Sequence, residues 1–275
     1  MIFRTLFFIF VFLPVLIVGI PIQFIITRLG LFSNVLTMLF HRVGCIFLGL
    51  RVHAIGKPLD GHPTLLLSNH ISWTDIIAIG SVADVTFVAK TGVRNTFFVG
   101  FMASLQRTLY VDYNRKQDAK RTSAEMGRRL ASNGAVLLFA EGHRDLGTHV
   151  QPFRSALVGA AQQAMEMGGA RDVMIQPVTI AYTHLQGLPV SRNERSGISG
   201  MNARGFREVV GNLLTSGVKD VTIAFGAPIP MTAATDRKVV TKQAETQVRR
   251  MLVKLNRHED VSDLVAQTAV AAPAE

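Results

Sequence analysis

Cysteine is nearly absent. Cys45 is the only one in 275 residues, which excludes an intrachain disulfide and any zinc site built on cysteines, and a reducing cytosolic environment is compatible with it. Acidic residues are also scarce, 19 against 29 lysines and arginines, for a formal net charge of +10. Such an excess fits an anionic partner, either nucleic acid or a membrane surface. Nucleic-acid binders are usually rich in polar residues, whereas this chain is 48% hydrophobic with a mean hydropathy of +0.29. That pairing favours the membrane surface and argues against nucleic acid. No G-x-S-x-G elbow occurs, which counts against a serine-nucleophile hydrolase. No H-E-x-x-H or comparable spacing joins His41, His53, His62, His143, His149, His184 or His258, so neither a metal nor a redox cofactor is expected.

Charge is missing altogether between Arg4 and Arg28, and the run LFFIFVFLPVLIVGIPIQFII lies there. A helix of about 20 such residues crosses the roughly 30 Å hydrocarbon core of a bilayer. The run is too long for a cleaved signal peptide, and no small-x-small site follows it closely. Pro14 and Pro21 each remove a backbone donor and can kink the helix. A second apolar stretch, residues 29–50, is interrupted by His41 and Arg42. Residues 1–51 therefore read as a membrane anchor, either one span plus an interfacial helix or a two-helix hairpin dipping into one leaflet. If the first helix spans, Arg28, Arg42, Arg51 and Lys57 outweigh Arg4, and the positive-inside rule leaves the rest of the chain in the cytoplasm.

Residues 52–258 change character, with short apolar runs alternating with amphipathic ones. Strands are expected at TLLLS (64–68), VTFVA (85–89), TLYVD (108–112), AVLLFA (135–140), VMIQPVTIAY (173–182) and VTIAFG (221–226). Helices are expected over 73–82, 95–103, 116–132, 155–167, 204–216 and 236–258. This alternation implies an α/β domain, a mostly parallel or mixed sheet with helices on both faces, which places ligands at the carboxyl ends of its strands. From 259 the Ala-rich tail reads as flexible.

Two strand ends carry the chemistry. TLLLS runs into NHISWTD, so His70 stands at a carboxyl edge with Asp75 a little over one helical turn further on. An aspartate at that distance can hold one ring nitrogen while the other faces substrate, which makes His70 a general base. Helix capping by Ser72 or Asn69, with Asp75 favourable in the first turn, explains the same spacing equally well. AVLLFA runs into EGHRD, a second apolar strand discharging polar residues. Gly142 permits close backbone approach, and Arg144 offers a planar fork for phosphate or carboxylate.

Together these stretches resemble the glycerolipid acyltransferase family typified by bacterial 1-acyl-glycerol-3-phosphate acyltransferases. NHISWTD is similar to the first block, N-H-x-S-x-x-D, at Asn69, His70, Ser72 and Asp75, and FAEGHR to the third, F-P-E-G-T-R, at Phe139, Glu141, Gly142 and Arg144. QPFR (151–154) and IQPVTI (175–180) resemble later segments. The resemblance implies an α/β fold, no cofactor, and His70 and Asp75 as the catalytic pair. It implies Asn69, Ser72, Arg115, Glu141, Gly142 and Arg144 as the substrate-binding set, with oxyanion donors sought among the amides of residues 69–72. The donor would be acyl-CoA or acyl-carrier protein, the acceptor the lysophospholipid 1-acyl-glycerol-3-phosphate, the product phosphatidic acid, and the location the inner membrane, facing the cytoplasm. The sequence departs from the family where phosphate is bound. YVDYNR has Tyr113 in place of the second-block arginine, with Arg115 or Arg107 as substitutes, and Ala140, His143 and Asp145 replace the usual residues of the third block. Two alternatives follow, acylation of another lysolipid such as lyso-ornithine lipid, or a catalytically silent lipid binder. The basic residues Lys116, Lys120, Arg121, Arg128 and Arg129 fit an anionic partner or a plain solvated face, while Phe97, Phe98 and Phe101 read as core before acyl tunnel.

Overall fold

Leu65, Leu66 and Leu67 leave no polar position inside their run, the mark of a strand covered on both faces. The run lies in the middle of the sheet. The computed structural model describes residues 2–29, 35–112, 116–132, 134–156, 158–166, 172–201 and 206–265. Within them the strands are β1 (Leu50–Ile55), β2 (Thr64–Ser68), β3 (Thr86–Lys90), β4 (Leu109–Val111), β5 (Ala135–Phe139), β6 (Val173–Leu185), β7 (Leu188–Pro189), β8 (Lys219–Phe225) and β9 (Ile229–Met231). Their order is β1-β8-β6-β2-β5-β3-β4, with β7 and β9 also paired to β6. β2 runs parallel to β5 and β6, and β3 to β4 and β5, while β8 is antiparallel to β6. The sheet is mixed, as the alternation of elements implied.

The helices are α1 (Ile2–Phe7), α2 (Leu13–Arg28), α3 (Val35–Leu48), α4 (Thr74–Gly80), α5 (Thr91–Arg94), α6 (Phe97–Leu105), α7 (Lys116–Ala131), α8 (Gly159–Glu166), α9 (Arg192–Ser199), α10 (Phe206–Thr215) and α11 (Arg237–Asn256). Strand alternation sends Leu65 and Leu67 to one face, where they join Met126 of α7 and Val248 of α11. Leu66 points the other way, to Cys45 of α3 and Ile79 of α4. Truncating a leucine in either layer to alanine is expected to destabilise the domain by about 2–5 kcal/mol.

A π-helical turn, Phe8–Phe12, joins α1 to α2. The stretch Thr5–Arg28, of mean hydropathy 2.7, is the one helix among the described residues long and apolar enough to cross a membrane. Phe12 stacks on Phe47 of α3 at 4.9 Å, and α3 buries His41, Val43 and Leu48. The first helix also meets the domain directly, since Gln23 Nε2 and Thr27 Oγ1 donate to the Leu105 carbonyl at 3.2 and 3.4 Å.

Beyond the short elements α5, β7 and β9, which the sequence reading lacks, three features differ from it. The expected boundary between residues 51 and 52 falls inside β1, a strand at the sheet edge. Its solvent-facing Arg51 and His53 break the apolar run and disguise it as a connection. The flexibility expected from 259 does not begin there, because Val261 and Val265 are buried and the Ala227 N–H donates to the Leu264 carbonyl at 3.3 Å. Finally, α9 was not expected. Its helical stretch is polar over most of its length, yet Ser191 and Glu194 form a reciprocal capping box and Gly200 ends the helix at φ +64°. The S-x-x-E spacing is the signal that marks such a start.

Candidate active site

Because β2, β5 and β6 are adjacent and parallel, residues leaving their carboxyl ends share one edge of the sheet. Asn69 continues the hydrogen bonding of β2 with its side chain. Nδ2 donates to the Ile180 carbonyl at 3.0 Å, and Oδ1 accepts from the Ile180 N–H at 2.9 Å. The chain then turns off the sheet at His70, whose ring stacks on Phe139 at the end of β5, 4.0 Å between centroids. Glu141, buried in the next turn, accepts from the His70 N–H through Oε2 and from the Gln151 N–H through Oε1, both at 2.7 Å. The Asp145 N–H donates to the His70 carbonyl at 2.9 Å. The His70 backbone is thus held on both sides by the loop after β5. Burial pushes the Glu141 carboxyl up to about 7, against the pull of its two N–H donors.

Asp75 lies fully buried in the first turn of α4. Its Oδ2 accepts from His70 Nδ1 at 2.8 Å, the Ile71 N–H at 2.7 Å and the Ser72 N–H at 2.9 Å. Its Oδ1 accepts from the Tyr182 hydroxyl of β6 at 2.8 Å. Since that hydroxyl has one proton, the 2.6 Å contact between Tyr182 and Thr74 has Thr74 as its donor. Burial, and then the charge of Asp75, hold the Tyr182 phenol well above its ordinary value. With Nδ1 donating to Asp75, the neutral His70 ring keeps a lone pair on Nε2. Its side chain is 17% exposed, and the residue lines a cavity of about 830 Å³ walled mainly by apolar residues of α2, α3, α4 and α6.

The capping reading of NHISWTD is not what forms. Trp73 occupies the N-cap of α4 without a side-chain cap bond, Asn69 faces β6, and the Ser72 hydroxyl takes a long 3.4 Å bond from the Thr74 N–H while also meeting Tyr182. Several residues expected to bind substrate have protein partners. Asn69, Ser72 and Glu141 direct their polar atoms to protein partners, Glu141 holding the His70 backbone. The amides of His70, Ile71 and Ser72, sought as oxyanion donors, are all engaged by Glu141 or Asp75. Gly142 and Arg144 do line the cavity. Gly142 has φ +75°, and a Cβ there would sit 3.0 Å from Arg154 Nε, while Arg144 Nη1 donates to the Ser199 carbonyl at 3.1 Å. Arg115 and Tyr113 lie outside the described residues. Tyr182 was missed because nothing near it in the chain marks it, and its partner is 107 residues away. No metal-binding group of His, Cys, Asp or Glu occurs among the described residues.

An imidazole whose Nδ1 is held by a carboxylate is an arrangement suited to proton transfer, and here it lines a cavity with room for a hydrocarbon chain. The class this arrangement fits is a transferase of lipid groups. A family profile described as Acyltransferase matches residues 49–181, and the chain belongs to that acyltransferase family. It is 37% identical over 234 residues to a lyso-ornithine lipid O-acyltransferase of Brucella abortus, covering 85% of this chain and 88% of the relative. A protein of the same name from Rhizobium meliloti is 34% identical, covering 78% and 73%. A 1-acyl-sn-glycerol-3-phosphate acyltransferase of Neisseria gonorrhoeae is 29% identical over a shorter stretch, 40% of this chain and 44% of its own. The crystal structure of the 1-acyl-sn-glycerophosphate acyltransferase PlsC from Thermotoga maritima shares the fold, with TM-score 0.62 over 92% of this chain and 95% of that one, at 20% identity.

Proposed function

We propose that the chain transfers a fatty acyl group from a thioester donor, acyl-CoA or acyl-carrier protein, to the free hydroxyl of lyso-ornithine lipid. The observation that carries the acceptor is the extent of similarity. Relatives named for that lipid align over 85% and 78% of the chain, whereas the relative from Neisseria gonorrhoeae aligns over 40%. His70 Nε2 removes the acceptor hydroxyl proton as the oxygen attacks the thioester carbonyl. Asp75 supports the imidazolium, the tetrahedral oxyanion collapses with cleavage of the carbon–sulfur bond, and His70 returns the proton to the departing thiolate. Because the amides of residues 70–72 are engaged, and the Gly142 N–H donates to the Phe139 carbonyl at 3.1 Å, oxyanion donors are to be sought in the loop at His143, which lines the cavity.

The second reading is 1-acyl-glycerol-3-phosphate as acceptor, favoured by Arg144, whose fork in the cavity wall suits a phosphate as well as a carboxylate. In either case the apolar first helix anchors the enzyme, and the excess of basic residues after that helix supports an inner-membrane enzyme facing the cytoplasm. Thiol release from acyl-CoA, measured in the wild type and His70→Ala with each acceptor, tests both readings. Release with lyso-ornithine lipid that His70→Ala abolishes is the expected result. Release with the phosphate acceptor alone moves the assignment to the second reading, and release indifferent to His70→Ala overturns the mechanism.

A further inference from the structure

The loop after β5 carries Glu141, which holds the His70 N–H, and the loop is itself held from outside the site. Gly147, midway along it, is buried, and its carbonyl accepts twice, from Asn256 Nδ2 at 2.9 Å and from Arg195 Nη1 at 3.3 Å. Arg195 Nη2 donates to Asn256 Oδ1 at 3.0 Å, which closes the three groups into a ring of hydrogen bonds. Arg195 stands on α9, whose Ile198 belongs to the same core layer as Leu66 and Ile71. Asn256 ends α11, whose Leu252 and Leu255 belong to the other layer. Helices from the two faces of the sheet thus meet beyond the end of β5 at a single backbone carbonyl. α9 takes a second hold three residues earlier, where its Ser199 carbonyl accepts from Arg144 Nη1 at 3.1 Å.

What the ring presses on is the turn that carries His70. Gly147 has φ +71°, and a Cβ there would lie 2.5 Å from Ile71 Cδ1, so only hydrogen fits between the loop and Ile71. Ile71 follows His70, and its N–H donates to Asp75 Oδ2 at 2.7 Å. Two residues before Gly147, the Asp145 N–H donates to the His70 carbonyl at 2.9 Å. Residues 145 and 147 therefore meet 70 and 71, one through a hydrogen bond and one through close packing. Arg195 is half-buried and forms no ion pair among the described residues, so its charge is partly desolvated against neutral acceptors, which costs stability. Holding two helices together needs no charge, whereas reaching acceptors on two other elements at once needs the planar fork. We infer that Arg195, with Asn256, is a positioning residue for the base, acting through Gly147 to keep the His70–Ile71 turn in register with Asp75. Its catalytic consequence rests on the acyl-transfer reading, which makes His70 that base.

Purified protein in detergent serves for two measurements, steady-state thiol release and amide hydrogen exchange read by mass spectrometry. Arg195→Met keeps an apolar stem and removes both donors. A catalytic group displaced by about 1 Å through a distant substitution can cost about 10²-fold, so kcat should fall at least about tenfold while KM for both substrates holds within about twofold. The amides of His70, Ile71 and Ser72 should exchange about tenfold faster, while those of Leu65, Leu66 and Leu67 in β2 keep their wild-type rates. Asn256→Ala strips the same carbonyl from the other helix and should reproduce the pattern. Arg195→Lys, able to reach one acceptor but not both, should recover part of the loss. A strut that merely stabilises the fold would speed exchange in the turn and in β2 alike and lower kcat only by the fraction unfolded, and that result overturns the positioning role. So does an unchanged kcat, or a loss carried by KM. Local loosening of the turn in a protein whose wild type releases no thiol with either acceptor upholds the positioning of His70 and fails the acyl-transfer reading.

Discussion

Replacing Tyr182 with phenylalanine removes one oxygen and tests how the Asp75 carboxylate, proposed to support the base, is held. The Tyr182 hydroxyl donates to Asp75 Oδ1 at 2.8 Å and accepts from Thr74. Both partners are fully buried, so water does not replace the lost donor. A hydrogen bond to a charged group contributes about 1.5–3 kcal/mol, and leaving its buried partner unmet costs a similar amount, so Tyr182→Phe is expected to lower stability by about 2–3 kcal/mol. Oδ2 keeps its three donors, so the carboxylate stays in place but can pivot about that oxygen, and the His70 ring it orients pivots with it. A loss of about 1.4 kcal/mol in transition-state stabilisation corresponds to a tenfold fall in kcat. Tyr182 is not among the cavity-lining residues, so KM for both substrates should hold. Steady-state thiol release with urea denaturation on the same preparation reads both effects. Unchanged kcat, or a loss carried by KM, would refute the argument that β6 positions the base through Asp75.

Asp75→Asn presents an NH₂ group where only donors converge, so His70 loses its orienting acceptor or the Ile71 and Ser72 amides lose theirs. The expected fall in kcat is roughly 10³- to 10⁴-fold with the protein still folded by circular dichroism. The Glu141 carboxyl, raised by burial from its ordinary 4.5 to about 7, holds its proton more tightly folded than unfolded. Its contribution is full below about pH 4.5 and is lost as pH rises through 7, about 3 kcal/mol in all. Urea midpoints across that window should slope downward in the wild type and less so in Glu141→Gln, and identical slopes would refute the linkage. Asn69→Ala strips both bonds from Ile180 in the buried edge between β2 and β6. A loss of about 2–4 kcal/mol is expected from urea midpoints, and a loss under 1 kcal/mol would show that the edge closes without it.

What could be read in advance follows from how each element meets its neighbours. β2 and β5 are covered on both faces, so their apolar runs stand out from any context, and the polar residues at their ends were legible as a site. β1 is an edge strand, and its exposed Arg51 and His53 carry the pattern of a linker. α9 buries Ile198 and Ser199 near its C-terminal end and leaves most of the rest to solvent, so periodicity gave no hint and only the capping box did.

The proposed catalytic pair itself is local, five residues apart, and two of the donors to Asp75 come from the same short turn. The residues that complete the geometry are distant, Ile180 lying 111 positions from Asn69 and Tyr182 107 from Asp75. Nothing in the run VMIQPVTIAY says that it lies beside β2 and not at an edge, and strand order is what converts a buried tyrosine into a ligand of the carboxylate. The local motif therefore specifies which groups meet, while the pairing of β6 with β2 specifies how rigidly. For the same reason the protein partners of Asn69, Ser72 and Glu141 could not be read from the sequence, because whether a polar side chain at a strand end is left free depends on which neighbouring strand or loop is close enough to claim it.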